Sequence, residues 1–232
     1  MKNFGRHIPN LLTTFNLLSG CVAIVWAPGL MSYAFVAVLI GACFDFSDGF
    51  AARLLNARSA MGKDLDSLAD AVTFGVAPSI MLFYRLQELL PEVGYVCKAI
   101  PYLAFLLAAF SALRLAVFNN DARQSEHFIG LPTPANAIFW SALAVITVSE
   151  AWVRLFFWAI IVLIPVFSWL LVSKISMFSL KMKSYGLRGN AHRYFISIVA
   201  VLLGIFWGYT GIAIAIVLYI LLSVCLQKKR KF

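Results

Sequence analysis

The chain has 232 residues, 62% hydrophobic and only 12% charged, with a formal net charge of +9. A soluble domain is nearer half apolar, so a water-soluble globule is excluded, and the sequence holds many candidate membrane spans of about 20 residues each. The positive charge is spread over loops between apolar runs, which argues against a nucleic-acid partner and for a topology signal with attraction to anionic lipid heads.

Met1–Asn10 carries Lys2, Arg6 and Pro9 and leads into an apolar run without a small-residue cleavage pattern. It is therefore expected to enter a first span rather than to be a removable leader. Eight apolar stretches can be drawn, near 9–28, 31–55, 64–86, 97–118, 133–149, 151–172, 193–208 and 210–227. The last two come from one run, Tyr194 to Leu226, which would be about 50 Å long as a single helix. That exceeds a hydrocarbon core of about 30 Å, and Gly208-Tyr209-Thr210-Gly211 offers a tight turn in its middle. The expected fold is all-α: a polytopic membrane helix bundle of about eight transmembrane helices, forming a single domain over residues 1–232.

With eight spans both termini share one side. That side collects Lys2, Arg6, Arg53, Arg58, Lys63, Arg114, Arg123, Lys174, Lys181, Lys183, Arg188, Arg193 and the basic tail from Lys228 to Lys231. The other side holds Arg85, Lys98 and Arg154 against Glu88, Glu92 and Glu150. The positive-inside rule then puts both termini in the cytoplasm, together with the loops at 54–63, 119–132 and 173–192. Cys21, Cys43, Cys97 and Cys225 are scattered without metal-ligand spacing and read as small packing residues.

A carboxylate inside a span is costly, and its default reading is functional. Four fall at the cytoplasmic ends of two neighbouring spans: Asp45 and Asp48, three apart, and Asp66 and Asp70, four apart. On helices each pair shares a face. Gly49, Ala52 and Arg53 continue the Asp45 face, so the acids are expected beside an arginine and a strip with little side-chain bulk. Four anions at one place need cations among them, and hard oxygen donors suit Mg2+, Mn2+ or Ca2+. Such a cluster, completed by phosphate oxygens, is the machinery of two-metal phosphoryl transfer. The bland alternative is an interfacial network with Arg53, Arg58 and Lys63. Asp64 falls off the Asp66/Asp70 face and reads as a helix N-cap.

These residues form the pattern D-x2-D-G-x2-A-R-x8-G-x3-D-x3-D: Asp45, Asp48, Gly49, Ala52, Arg53, Gly62, Asp66 and Asp70. The pattern resembles the signature of the CDP-alcohol phosphotransferase family, with every spacing intact. The resemblance implies two metal ions per site. Asp45 and Asp66 would be shared by both, Asp48 would be a ligand of one and Asp70 of the other. Asp70 would also be the base that takes the acceptor's hydroxyl proton. It further implies contacts of Gly49, Arg53 and Ser59 with the CDP-lipid. The run from Pro9 to Asn16 is similar to the family's first-helix nucleotide element, with Asn10 as its contact. The bland reading of Asn10 is a helix N-cap. The family also implies a homodimer in the cell's inner, cytoplasmic membrane.

Two further stretches, Ser67–Pro78 and Ala112–Pro134, resemble the serine-accepting branch of that family, although many of its members carry a second arginine where this chain has Val117. The resemblance implies CDP-diacylglycerol and L-serine as substrates, with phosphatidylserine and CMP as products. Arg114, in the apolar part of the fourth span, is the candidate cation for the serine carboxylate, with Asn119 beyond it; the bland alternative for Arg114 is that it balances the acid cluster or snorkels, and His127 in the same stretch reads as bland. Glycerol 3-phosphate or an inositol phosphate is the alternative acceptor, but it would need more basic residues than Arg114 and Arg123. A cation transporter is the distant alternative. It would need charge along a route across the membrane, and the outer halves of these spans are apolar.

Overall fold

The computed structural model describes residues 7–57, 59–90, 98–120, 128–177 and 191–230. Arg58, Cys97, Arg123 and His127 lie outside these, as do Lys2, Arg6, Glu92, Lys181, Lys183, Arg188 and Lys231 among the loop charges.

Helix α1 spans Ile8–Trp26 and α2 spans Met31–Leu54. They are joined by a turn in which Gly29 takes φ 106°, and they pack along their lengths. Pro9 sits in the first turn of α1, where its missing N–H has no intrahelical partner to lose. The buried face of α1 is a stripe of Pro9, Thr13, Asn16, Gly20 and Ala23, spaced three and four apart. Small side chains let the backbones approach, which is how helices associate where lipid removes the hydrophobic drive.

Helix α3, Ala60–Asp70, is begun by Ser59, whose Oγ accepts from Gly62 N at 3.0 Å. Asp64 is therefore not the N-cap expected from sequence: it lies inside the helix, exposed, and the cap falls five residues earlier. A π turn, Ala71–Val76, follows Asp70 and leads into α4, Ala77–Leu89. The sequence explains this widening. Pro78 cannot donate to a carbonyl four residues back, and in an unbroken α-helix its ring would strike that carbonyl. The wide turn also directs Thr73 into the gap between α1 and α2. There a Cβ on Gly20 would lie 2.4 Å from Thr73 Oγ1, and one on Gly41 would lie 2.6 Å from its methyl.

A 3-10 turn, Ile100–Ala104, enters α5, Phe105–Asn120. Helix α6 covers Thr133–Val145, and nine of its thirteen residues are buried. The span expected over 133–149 is thus shortened at its far end. The helix stops at Ile146, whose carbonyl accepts from Arg85 Nη2 at 2.5 Å. Helix α7 is Glu150–Val172. Within the otherwise helical fold, β1 (Phe128–Ile129) and β2 (Ser176–Met177) form a two-residue antiparallel pair, with Phe128 opposite Met177.

The last segment, α8, runs Ala191–Arg230 and is broken at Gly208, which has φ 56° and ψ −132°. On a straight helix residues eight apart are separated by about 12 Å. Here a Cβ on Gly211 would lie 1.9 Å from the carbonyl oxygen of Leu203. The chain folds back on itself, as the turn at 208–211 leads one to expect, and Tyr209 packs edge-on against Phe35 with ring centroids 5.3 Å apart.

Six helices among the described residues are long and apolar enough to cross a membrane: Ile8–Trp26, Met31–Leu54, Ala60–Leu89, Ile100–Asn120, Glu150–Val172 and Arg193–Cys225. The difference from eight has two sources: α6 is too short, and Arg193–Cys225 is one of the six although the chain turns back within it at Gly208. Outward faces carry large exposed hydrophobics such as Val25, Trp152, Val162, Ile205 and Phe206. The chain is a multi-pass membrane protein. One aromatic core, with Phe139 stacked on Phe167 at 4.3 Å beside Trp140, joins α4 to α8. A second, rich in alanine, joins α1, α2, α4 and α6.

Candidate active site

The start of α1, the end of α2 and the start of α3 meet at one end of the bundle, around a cleft of about 480 Å³. α1 contributes Asn10 and Thr13, α2 contributes Asp48, Gly49 and Ala52, and the 57–66 segment contributes Ser59, Gly62, Lys63 and Asp66. The low bulk expected of this strip is present. Among the described residues a Cβ on Gly49 would meet nothing within 4 Å, so that stretch of helix is open to an incoming molecule. At Gly62 a Cβ would lie 3.0 Å from both Asn10 Oδ1 and Ser59 Oγ. Asn10 is the third residue of α1, whose N-cap is His7, so the capping reading of Asn10 fails. Ser59 meets the cleft and also caps α3.

Asp45, Asp48 and Asp66 each offer a carboxylate oxygen, and all three lie within 4.8 Å of one another. Carboxylates this close repel strongly away from water. The donor set is hard oxygen throughout, which fits a divalent cation of the Mg2+, Mn2+ or Ca2+ kind. Asp48 is buried and accepts from Thr13 Oγ1 at 2.5 Å, so α1 fixes its rotamer. Asp70 stands outside this trio, one turn deeper on α3 and within electrostatic reach of Asp45 and Asp66. Its Oδ1 accepts from Asn16 Nδ2 at 3.0 Å.

The basic residues near the acids have partners of their own. Arg53 is exposed in the last turn of α2, and its Nε donates to the Gly49 carbonyl at 2.9 Å. Lys63 Nζ donates to the Asn119 carbonyl at 2.7 Å. Asn119 Nδ2 donates to Ser67 Oγ at 2.7 Å. Arg114 is buried, donates from Nη1 to Thr133 Oγ1 at 3.2 Å, lies over the Phe118 ring and is within electrostatic reach of Asp70. Among the described residues its Nε has no hydrogen-bond partner, and neither has Asn136 Nδ2, while the Asn136 amide oxygen accepts from Trp140 Nε1 at 3.1 Å.

Thr13, Asn16, Thr73, Ser67 and Thr133 lie in the stretches that carry the family resemblance, and Asn136 lies outside them, but the sequence gives none of the six an individual role. For the first two a signal existed: with Pro9, Gly20 and Ala23 they form a polar and small stripe on an apolar helix.

Over residues 6–169, more than half its length, the chain matches the CDP-alcohol phosphatidyltransferase family, and it belongs to that family. It is 39% identical over 133 residues to the CDP-diacylglycerol–serine O-phosphatidyltransferase of Bacillus subtilis (strain 168), covering 56% of this chain and 70% of that protein. It is 38% identical over 136 residues to the protein of that name from Helicobacter pylori (strain J99), covering 56% of this chain and 54% of the relative. Against the Saccharomyces cerevisiae protein of that name the figures are 34% over 151 residues, 58% and 51%. The chain thus spans 70% of the Bacillus protein and about half of the other two.

Proposed function

We propose that this protein transfers the phosphatidyl group of CDP-diacylglycerol to L-serine, giving phosphatidylserine and CMP. The observation that carries the chemistry is the convergence of the Asp45, Asp48 and Asp66 oxygens beside a cleft floored by Gly49. The names of the relatives support serine as the acceptor.

In this reading Asp45, Asp48, Asp66 and Asp70 hold two divalent ions, Mg2+ or Mn2+ with Ca2+ as a further candidate. When bound, these would neutralise the diphosphate and the charge developing on it. The chain's own residues do the rest. The low side-chain bulk at Gly49 and Ala52 admits the cytidine diphosphate, with Asn10 and Ser59 as polar contacts in the lining of the same cleft. Arg53, swung from its own helix, pairs with a phosphate bidentately. Asp70 accepts the serine hydroxyl proton, and the oxygen attacks the phosphorus nearer the lipid. Arg114, with Asn119 toward the helix end, holds the acceptor side, and Arg114 lies within electrostatic reach of Asp70 as this requires.

The reading extends to the whole chain as one membrane domain, working as a homodimer in the inner membrane. Its cleft and both termini would face the cytoplasm under the positive-inside rule, since Arg53, Lys63, Lys174 and Arg193 each lie within a few residues of a helix end assigned to that side. A reporter fused after Phe232 checks this, and an extracytoplasmic signal sinks the topology.

The activity is tested on purified protein given CDP-diacylglycerol, Mg2+ or Mn2+, and L-serine, glycerol 3-phosphate or inositol phosphate in turn. CMP release is expected with serine. Release only with a phosphorylated acceptor moves the chain to another branch of its family, and release with none refutes the transferase reading.

A further inference from the structure

Asp70 owes its orientation to a residue outside the acid signature. Asn16 is fully buried on α1, fifty-four residues away in sequence, and its Nδ2 donates to Asp70 Oδ1 at 3.0 Å. Asn16 is itself held. Thr73, also fully buried, donates from Oγ1 to the Asn16 backbone carbonyl at 2.9 Å. The fit around the pair leaves little play, because Gly20 and Gly41 stand where any Cβ would strike Thr73, and one on Gly41 would also lie 3.0 Å from Asn16 Oδ1. Thr73 reaches this point because the π turn begins at Ala71, immediately after Asp70.

The chemistry of the contact fixes its direction. A carboxylate oxygen only accepts, so the amide must present N–H to it. An N–H on Oδ1 draws on that oxygen's lone pair, which leaves Oδ2 the more basic of the two and the better proton acceptor. A carboxylate without this contact can rotate and present either oxygen.

We propose that Asn16 is a positioning residue for the transfer reaction: it pins Oδ1 of Asp70, so that Oδ2 is the oxygen that takes the acceptor's proton. In that step the serine O–H bond breaks and the proton goes to Oδ2. The serine oxygen bonds to phosphorus, and the bond from phosphorus to the CMP oxygen breaks, its electron pair leaving with CMP. This rests on the phosphatidyl-transfer reading, and Thr73 acts only through Asn16.

The test compares Asn16→Ala, the isosteric Asn16→Asp and Thr73→Val with the wild type. It uses steady-state kinetics, Mn2+ binding followed by electron paramagnetic resonance, and thermal denaturation. Partners that orient a metal-site ligand are typically worth 10–100-fold. Asn16→Ala is expected to lower kcat by that factor, with the KM for CDP-diacylglycerol and for serine within about twofold, and to weaken Mn2+ binding severalfold. Asn16→Asp, which replaces the donor by a second carboxylate, is expected to lose at least as much kcat. Thr73→Val is expected to lose less, and to add nothing to Asn16→Ala when the two are combined. A folded Asn16→Ala enzyme with wild-type kcat and Mn2+ binding overturns the proposal. So does a loss confined to KM, or one that tracks the melting temperature alone. If Asn16→Ala does not fold, Thr73→Val decides: wild-type kcat there overturns the relay. The wild-type arm reports on the reading underneath. Absence of CMP release with serine in that arm refutes the transferase, while the Mn2+ isotherms still test the Asn16 contact.

Discussion

Lys63 extends from α3 to the backbone carbonyl of Asn119 at the end of α5, and the Asn119 amide returns to Ser67 on α3. A cation on the last carbonyls of a helix meets the negative end of its dipole. The two bonds tie the acid-bearing helix to the helix that carries Arg114, so this pair sets the spacing between the two halves of the proposed site.

Asn119→Ala should therefore lower turnover severalfold. Ser67→Ala should do the same, and the double variant should be little worse than either, because residues in one network are not additive. Serine kinetics on the three purified variants check this. A serine KM that rises while turnover holds would leave acceptor contact, and not the tie between the two helices, as the role of Asn119.

Replacing the acids is expected to be far more severe. Asp45→Asn, Asp48→Asn, Asp66→Asn and Asp70→Asn should each lower kcat by three orders of magnitude or more, about 4 kcal/mol, while the protein still inserts and purifies. EDTA should silence the wild type, and titration with Mg2+, Mn2+ or Ca2+ should identify the ion that restores it. A fully active Asp66→Asn enzyme is incompatible with the two-ion site.

Arg114 is buried beside Thr133 and within reach of Asp70. Taking away the cation that pairs with a buried serine carboxylate should cost a few kcal/mol of binding, and about 1.4 kcal/mol is tenfold. Arg114→Ala is expected to raise the serine KM by one to three orders of magnitude, with little change for CDP-diacylglycerol. Arg114→Lys should recover part of the loss, keeping the charge without the planar fork. Weakened CDP-lipid binding with an unchanged serine KM would place Arg114 on the nucleotide side.

Gly211 and Gly208 test the fold rather than the chemistry. An added Cβ at 211 strikes the Leu203 backbone, which has no flexible end to yield. At Gly208, φ 56° is a conformation that L residues adopt at a cost of about 1–3 kcal/mol. Gly211→Ala should lower the melting temperature in detergent more than Gly208→Ala, and both more than Gly49→Ala, where none of the described residues lies within 4 Å. Equal stability of Gly211→Ala and wild type would contradict the reversal in α8.

What was legible in the sequence was local. The spacings of Asp45, Asp48, Asp66 and Asp70 put the acids on shared helix faces, and three of the four converge as those faces require. The excess length of the last apolar run, with Gly208 in its middle, gave the break in α8. What stayed hidden depends on partners far along the chain. Thr13 meets Asp48 thirty-five residues on, and Asn16 meets Asp70 fifty-four residues on; neither pairing has a local signature. The early end of α6 is likewise set by Arg85, sixty-one residues before Ile146. The apolar pattern begins after Asp64 and so points to it as the cap, whereas the hydroxyl of Ser59 starts the helix ahead of it.

The π turn at 71–76 also works as a phase setter. A residue on an α-helix turns the chain by about 100° and advances it about 1.5 Å. Loss of one residue from Ala71–Val76, relaxing the wide turn to ordinary helix, would leave α4 seated in the bundle and rotate all of α3 by that angle. Asp66 and Asp70 would swing together away from α2, although no acid had been touched and the span would be only one residue shorter. The azimuth of the acid face is thus stored in a stretch without a single charged residue, Ala-Val-Thr-Phe-Gly-Val, whose composition alone reads as lipid filler.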